Sequence, residues 1–224
     1  MKICLIGCGK MGSSLLEGWS SLKVIDHITI IEPNLDNIPS KLLNIISFNF
    51  YKTIEEAKNF SFDMTILAVK PQVMEVVLKQ ISNLNFISDS WLSIAAGLTV
   101  KFFENVLGNN QQIIRTIPNT PASIKKGVTA IYFNSNCKNK TINESILLMK
   151  AVGETIIVND ENLMDAYTAV SGSGPAYIFY FVEAIISAAK EMGINEKNSR
   201  TLAEKTLIGS AYLLENSQAR AQDL

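Results

Sequence analysis

Three glycines at the spacing Gly7-Cys8-Gly9-Lys10-Met11-Gly12 stand at the end of a short apolar run, Lys2–Gly7. In that setting each glycine has its own task. Gly7 permits a tight turn, Gly9 lets a phosphate approach the backbone, and Gly12 allows a helix to pack closely on the strand before it. A helix opening at Lys10-Met11 presents unpaired N–H donors and a partial positive charge to an anion. The chemistry these residues suit is therefore the binding of a dinucleotide pyrophosphate, with Ile6, Gly7, Gly9, Lys10, Met11 and Gly12 as its contacts. Glu32 lies about twenty residues beyond Gly12, where a carboxylate at the end of the second strand accepts from ribose hydroxyls. It also repels a 2′-phosphate, which tilts the choice between NADPH and NADH toward NADH. The plain alternatives are a structural glycine turn and a solvated charge at a strand end.

Other chemistry is scarce. The cysteines are Cys4, Cys8 and Cys137, and the one histidine is His27. The cysteines are too scattered for a redox pair and too few for a disulfide framework. A single histidine argues against Ser-His-Asp or Cys-His catalysis and against a histidine-ligated metal, so no metal centre is expected. The net charge of −1 gives nothing for nucleic acid or anionic lipid to hold. With 47% hydrophobic and 18% charged residues, the composition is that of an ordinary globular chain able to bury a core. No signal sequence is read at the start. The most apolar stretch, Pro175 to Ala189, is broken by Glu183 and followed by Lys190 and Glu191, so no membrane span is expected. A soluble, cytoplasmic protein follows.

The elements that must position the glycine loop alternate along most of the chain. Strands are expected at Lys2–Gly7, Ile28–Glu32, Ile45–Phe48, Asp63–Val69, Trp91–Ala96, Gln112–Ile117, Val128–Phe133 and Glu154–Val158. Helices are expected from Met11 to Leu22, Ile38 to Leu43, Gln72 to Ile81, Val100 to Val106 and Ile142 to Ala151. A further helix over Ile54 to Asn59 would be capped by Thr53, with Glu56 completing a capping box. Alternation of this kind defines an α/β chain with a doubly wound sheet of Rossmann type. From Glu161 onward the strands cease, and Asn162–Ala169, Pro175–Met192 and Asn195–Asn216 read as helices. Pro175 suits a first turn and Gly193 a helix end. The expected division is residues 1–159 as the dinucleotide-binding domain and 160–224 as an all-α domain.

Five motifs in order, IGCGKMG, LAVKPQ (Leu67–Gln72), SIAAG (Ser93–Gly97), IRTIPNTPA (Ile114–Ala122) and SGSGPAYI (Ser171–Ile178), resemble pyrroline-5-carboxylate reductase across essentially the whole chain. The resemblance implies reduction of the cyclic imine 1-pyrroline-5-carboxylate to L-proline with NADH or NADPH, in proline biosynthesis. It implies that Ala68, Val69, Lys70, Pro71 and Ala96 contact the ribose and nicotinamide end of the cofactor. On their own, these segments read equally well as strand ends bearing small residues. It also places Pro118–Pro121 near the active site, with Asn119 as a polar handle. Ser171, Gly172, Ser173 and Gly174 are candidates to cradle a substrate carboxylate. An ordinary N-cap by Ser173 or Gly174 explains the same residues.

The helix that follows is apolar almost all round, from Tyr177 and Ile178 to Ala189, and something must cover it. The resemblance makes that cover a second copy, as a homodimer or higher homo-oligomer. A helix buried within the monomer is the alternative. The family continues past a segment like Gln222-Asp223-Leu224 into a loop bearing a threonine near the substrate nitrogen. That loop lies beyond this sequence, so no catalytic proton donor is assigned within it. Gln218 falls near a substrate-contacting position of the family but is not the family's usual residue. Two other functions compete: a non-catalytic dinucleotide-binding dimer, and another dehydrogenase of the 6-phosphogluconate-dehydrogenase-like layout. The latter would rely on a lysine, for which Lys190 is the candidate.

Overall fold

A computed structural model describes residues 1–38 and 48–224. Beyond Ile38, the helix expected to Leu43 lies outside the described residues, as does the strand expected over Ile45–Phe48 up to Phe48 itself. In chain order the strands are β1 (Lys2–Ile6), β2 (His27–Ile31), β3 (Phe48–Tyr51), β4 (Ser61–Phe62), β5 (Met64–Leu67), β6 (Ile87–Ser88), β7 (Ser90–Ser93), β8 (Gln112–Ile117), β9 (Gly127–Phe133) and β10 (Gly153–Ile157). The α-helices are α1 (Lys10–Trp19), α2 (Pro71–Ser82), α3 (Val100–Leu107), α4 (Asn139–Lys150), α5 (Met164–Tyr167), α6 (Gly174–Glu191) and α7 (Glu196–Asn216).

Among the described residues, eight strands join in one sheet in the order β3-β2-β1-β5-β7-β8-β9-β10, while β4 and β6 form a small parallel pair of their own. From β3 to β8 every pairing is parallel. The chain starts at β1, winds outward to β2 and β3, then returns to the other side of β1 at β5. The crevice where the winding reverses, between β1 and β5, is where ligands bind in such sheets. The residues at the carboxyl ends of these strands are Gly7, Glu32, Ala68 and Ile94 onward.

Side chains alternate across the sheet, as the two-residue period of a strand requires. Ile3 and Leu5, Ile28 and Ile30, and Met64 and Ile66 enter one core with Leu15, Leu16 and Trp19 of α1 and Leu148 and Met149 of α4. Cys4, Ile6, Ile31 and Leu67 enter the other, with Met74 and Leu78 of α2 and Val100 and Phe103 of α3. Both faces are thus covered, which is why these strands read as continuous apolar runs. Trp19 donates its indole N–H to the Leu148 carbonyl at 2.9 Å and ties α1 to α4.

The structure departs from the sequence reading in three places. First, β9 runs antiparallel to β8, because residues 118–126 hold only a short 3-10 turn (Thr120–Ile124) and no crossover helix. Strand β10, reached through α4, is again parallel to its neighbour β9. Second, the helix expected after Thr53 is a single 3-10 turn, Glu55–Ala57. Here the Thr53 hydroxyl donates to the Glu56 carboxylate at 3.3 Å, so it is not a cap accepting from the helix backbone. Third, the helix expected over Asn162–Ala169 is a composite. A 3-10 turn (Glu161–Leu163), α5 and a π-helical turn (Thr168–Gly172) follow one another.

The chain packs as two units, Met1–Gly172 and Ser173–Leu224. Residues 161–172 belong with the sheet by packing: Met164 is buried with Ile117, Ala130 and Val158. In the second unit α6 and α7 pair as a helical hairpin. Asn195 caps α7 by accepting from the Asn198 N–H at 2.9 Å, and Gly193 makes the turn between the helices at a φ of +90°.

Candidate active site

The glycine loop has the geometry of a phosphate cradle. Gly7 takes a φ of +92°, and its N–H donates to the Ile31 carbonyl at 2.9 Å. A Cβ at Gly12 would stand 2.4 Å from the Gly7 carbonyl oxygen, and one at Gly7 would stand 2.8 Å from that of Ala68. These two glycines are needed by the protein's own packing. Gly9 is different: a Cβ there would have no neighbour within 4 Å. Open space lies above it, at the start of α1. Gly9 is the N-cap, in extended conformation, and among the described residues the helix has no side-chain cap. Lys10 is exposed at the same point, while Met11 is half-buried. A pyrophosphate suits this cradle by shape and by charge.

Glu32 is only 8% exposed, and its carboxylate is largely engaged inside the protein. Oε2 accepts from the Cys8 N–H of the glycine loop at 2.7 Å. Oε1 accepts from the Asn34 N–H at 3.0 Å and the Asn37 side-chain amide at 3.1 Å. The sequence reading foresaw the position but not this bracing of loop and turn. A carboxylate offers about four acceptor sites, and among the described residues three donors answer Glu32, two on Oε1 and one on Oε2. Glu32 and Gly7 line a cavity of about 320 Å³ with Ile6, Ile31, Pro33, Lys52 and Val69, at the carboxyl ends of β1 and β2. Its mixed apolar and polar lining suits an adenosine. A more polar cleft of about 390 Å³, lined by Asp63, Asp89, Gln112 and Lys140, lies at the opposite, amino ends of the strands. That is the wrong edge for a ligand in an open α/β sheet.

Cys8 is buried, and burial together with the nearby Glu32 charge pushes its thiol up to about 12. It is a packing residue and not a nucleophile. Burial likewise pushes the Cys137 thiol up to about 11.

The remaining expected contacts lie along the same edge. Ala68 donates its N–H to the Ile6 carbonyl at 2.8 Å, directly beside Gly7. Val69 borders the same cavity as Glu32 and Gly7. Lys70 is the extended N-cap of α2, whose first turn holds Pro71, and its side chain is exposed. Ala96 follows β7 and packs against the small cluster around Ile117 and Met164.

Asn119, 8% exposed, is less a free handle than a bracket. Its Oδ1 accepts from the Val128 N–H at 2.9 Å and its Nδ2 donates to the Ser171 carbonyl at 3.1 Å. The Ser171 hydroxyl donates back to the Tyr167 carbonyl at 2.9 Å. Ser171 and Gly172 close the first unit; Ser173 and Gly174 open the second. Ser173 has helical dihedrals and no side-chain capping bond, so α6 is entered from the π-turn and not from an extended cap. Lys190 pairs with Glu196 on the surface at 2.5 Å, leaving no buried lysine on α6 for the competing dehydrogenase reading.

One pair escaped the sequence reading. Arg115 on β8, 3% exposed, meets Glu161 at 2.5 Å, Nη1 to Oε1. The same Oε1 accepts from the Val100 N–H at 2.7 Å. Burial, with the Glu161 and Asp160 charges, raises the nearby Tyr132 phenol above its ordinary value and keeps it neutral. Arg115 sits inside the IRTIPNTPA motif, but nothing in the spacing joins it to Glu161.

A Rossmann sheet with a glycine cradle, a cavity of mixed polarity beside it and a bracing acid fits an oxidoreductase that uses a nicotinamide dinucleotide. Comparison with known proteins narrows the class. Residues 2–97 match the family model "NADP oxidoreductase coenzyme F420-dependent", and residues 161–224 match "Pyrroline-5-carboxylate reductase dimerisation". The chain is 34% identical to the pyrroline-5-carboxylate reductase of Methanosarcina acetivorans, over 95% of this chain and 78% of that protein. It is 33% identical to that of Escherichia coli, over 95% and 79%. The reductase structure from Streptococcus pyogenes superposes with a TM-score of 0.84 at 28% identity, covering all of this chain and 83% of that one. The Plasmodium falciparum enzyme, solved with NADP bound, gives 0.81 at 26% identity, covering all of this chain and 82% of that one. The chain belongs to the pyrroline-5-carboxylate reductase family.

Proposed function

We propose that this chain reduces 1-pyrroline-5-carboxylate to L-proline as a cytoplasmic homodimer, with residues 1–159 holding the cofactor and 160–224 forming the dimer and the substrate side. The observation that carries the reading is the intact glycine cradle in a chain related to these reductases over almost its whole length. When bound, the reduced nicotinamide supplies the hydride that the imine carbon accepts. The chain's own part is placement. The Gly9 opening and the N-terminus of α1 hold the pyrophosphate, and Glu32 takes a ribose hydroxyl. Ala68, Lys70, Pro71 and Ala96 bound the nicotinamide end, while Val69 lies at the adenosine side. Residues 171–174, with Ser171 held by Asn119, present the substrate side.

The Glu32 carboxylate favours NADH, since a 2′-phosphate beside it would place like charges together. Loss of NADH absorbance on adding the imine tests the reaction, and kcat/KM with each cofactor tests the preference. Imine-dependent turnover, higher with NADH than with NADPH, is expected. Cofactor binding without turnover would favour a non-catalytic dinucleotide-binding dimer. Equal or better turnover with NADPH would show that the bracing of Glu32 by Cys8 and Asn34 removes its influence on the ribose.

A further inference from the structure

The loop of residues 94–99 joins β7 to α3 and carries Ala95, Ala96 and Gly97. It is pinned at its near end by Ser93, whose Oγ accepts from the Ala95 N–H at 3.1 Å and whose carbonyl accepts from the Thr116 hydroxyl at 2.9 Å. At its far end the pin comes from a distant part of the chain. Val100, the first residue of α3, donates its N–H to Glu161 Oε1 at 2.7 Å. The N-terminus of α3 carries partial positive charge, so a carboxylate there is doubly favoured. The N-cap Thr99 answers a different donor, Phe102 N–H, at 3.3 Å, so Glu161 supplements the cap and does not duplicate it.

Arg115 fixes that carboxylate from the other side. Its guanidinium is buried, meets Glu161 at 2.5 Å, and leaves its Nε–H without any acceptor. Glu161 is also the first residue of the segment matched by the dimerisation model, and α5 just after it sends Met164 into the cluster on which Ala96 rests.

We propose that Glu161 is a positioning residue for the reductase reaction: held by Arg115, it fixes the far end of the 94–99 loop so that Ala96 forms a rigid wall at the nicotinamide end of the cofactor site. The proposal rests on the reading of Ala96 as a cofactor contact. It makes the start of the dimerisation segment a strut of the cofactor site.

The decisive variant replaces both partners, Arg115→Met with Glu161→Met, because exchanging both members of a part-buried ion pair for apolar side chains leaves no uncompensated charge. Amide hydrogen exchange is followed in the protein without cofactor, beside NADH affinity and kcat. Exchange at residues 95–100 is expected to quicken by about tenfold or more while the β1 and β5 amides stay protected. The NADH Kd should stay within about threefold, because the adenosine cavity is untouched, while kcat falls about tenfold or more from misplacement at the reacting end. Glu161→Gln, whose amide oxygen still accepts from the Val100 N–H, should keep slow exchange in the loop. Unchanged exchange at 95–100 in the double variant overturns the proposal whatever kcat does. So does loop exchange as fast in Glu161→Gln as in the double variant. Wild-type protein that turns over no imine would refute the activity itself, and the exchange comparison would still decide the role of Glu161.

Discussion

Among the three glycines of the cradle, Gly12 is the one whose replacement is most sharply determined. Its Cβ position lies 2.4 Å from the Gly7 carbonyl, a distance no real side chain holds, and the neighbour is backbone that cannot swing away. Gly12→Ala must push α1 off β1, and overpacking of this kind costs about 1–3 kcal/mol. The same shift misaims the helix N-terminus, so NADH affinity should fall about tenfold or more. Thermal unfolding and fluorescence titration measure the two effects, and an alanine variant with unaltered NADH affinity would show that the loop tolerates the displacement. Glu32 teaches a different lesson at this scale. Its place after β2 was readable from the motif, but a carboxylate that answers Cys8, Asn34 and Asn37 is as much a structural brace as a ribose contact.

At the scale of elements, the strands are held at both ends, and the amino ends rely on charge. Asp63, just before β5, accepts from the Lys2 N–H at the start of β1 at 2.7 Å and from Lys140 of α4 at 3.4 Å. The Lys2 N–H first, and Lys140 second, hold its carboxyl below the ordinary carboxylate value. A depressed folded-state pKa gives stability that is present above the unfolded value and disappears as pH falls through the folded one. Asp63→Asn should therefore be less stable than wild type at neutral pH, with the difference closing in strong acid. Denaturant unfolding across the acid range checks this, and a constant difference would exclude Asp63 as its source. The antiparallel turn into β9 belongs here too. Strand periodicity gives no direction; only the length and content of the connection does, and residues 118–126 are too few for a crossover.

For the whole molecule, the second unit shows a surface that a lone chain leaves bare. Among the residues of α6 none is buried, and Phe179, Tyr180 and Phe181 are 63%, 79% and 59% exposed. The helical run Glu161–Glu191 is long and apolar enough to cross a membrane by length and composition. The match of residues 161–224 to a dimerisation family supports a second copy as the cover of this surface. Burying such side chains contributes about 1.5–3 kcal/mol each, so a charge placed among them should break the association. Tyr180→Asp is expected to sediment as a monomer at concentrations where wild type is dimeric, and to lose the concentration dependence of Tm that a dimer shows. A variant that remains dimeric would move the interface off this face.

The alternation of strand and helix, the glycine cradle and the family are legible in the residues alone, because they depend on local periodicity and on residue types at short spacing. The sequence reading placed β8 residue for residue and β1, α2 and α3 to within a residue or two at either end. It missed the 3-10 turn after Thr53 and the π-turn before α6, where local hydrogen bonds compete closely with regular helix. What the polar side chains answer emerges from the folded chain. Asn119 reads as a free amide, yet it clamps Val128 to Ser171. Arg115 and Glu161 meet across many residues of chain, and Glu32 turns inward to its own loop. Such bonds depend on which strand ends the fold brings side by side, and spacing along the chain does not carry that.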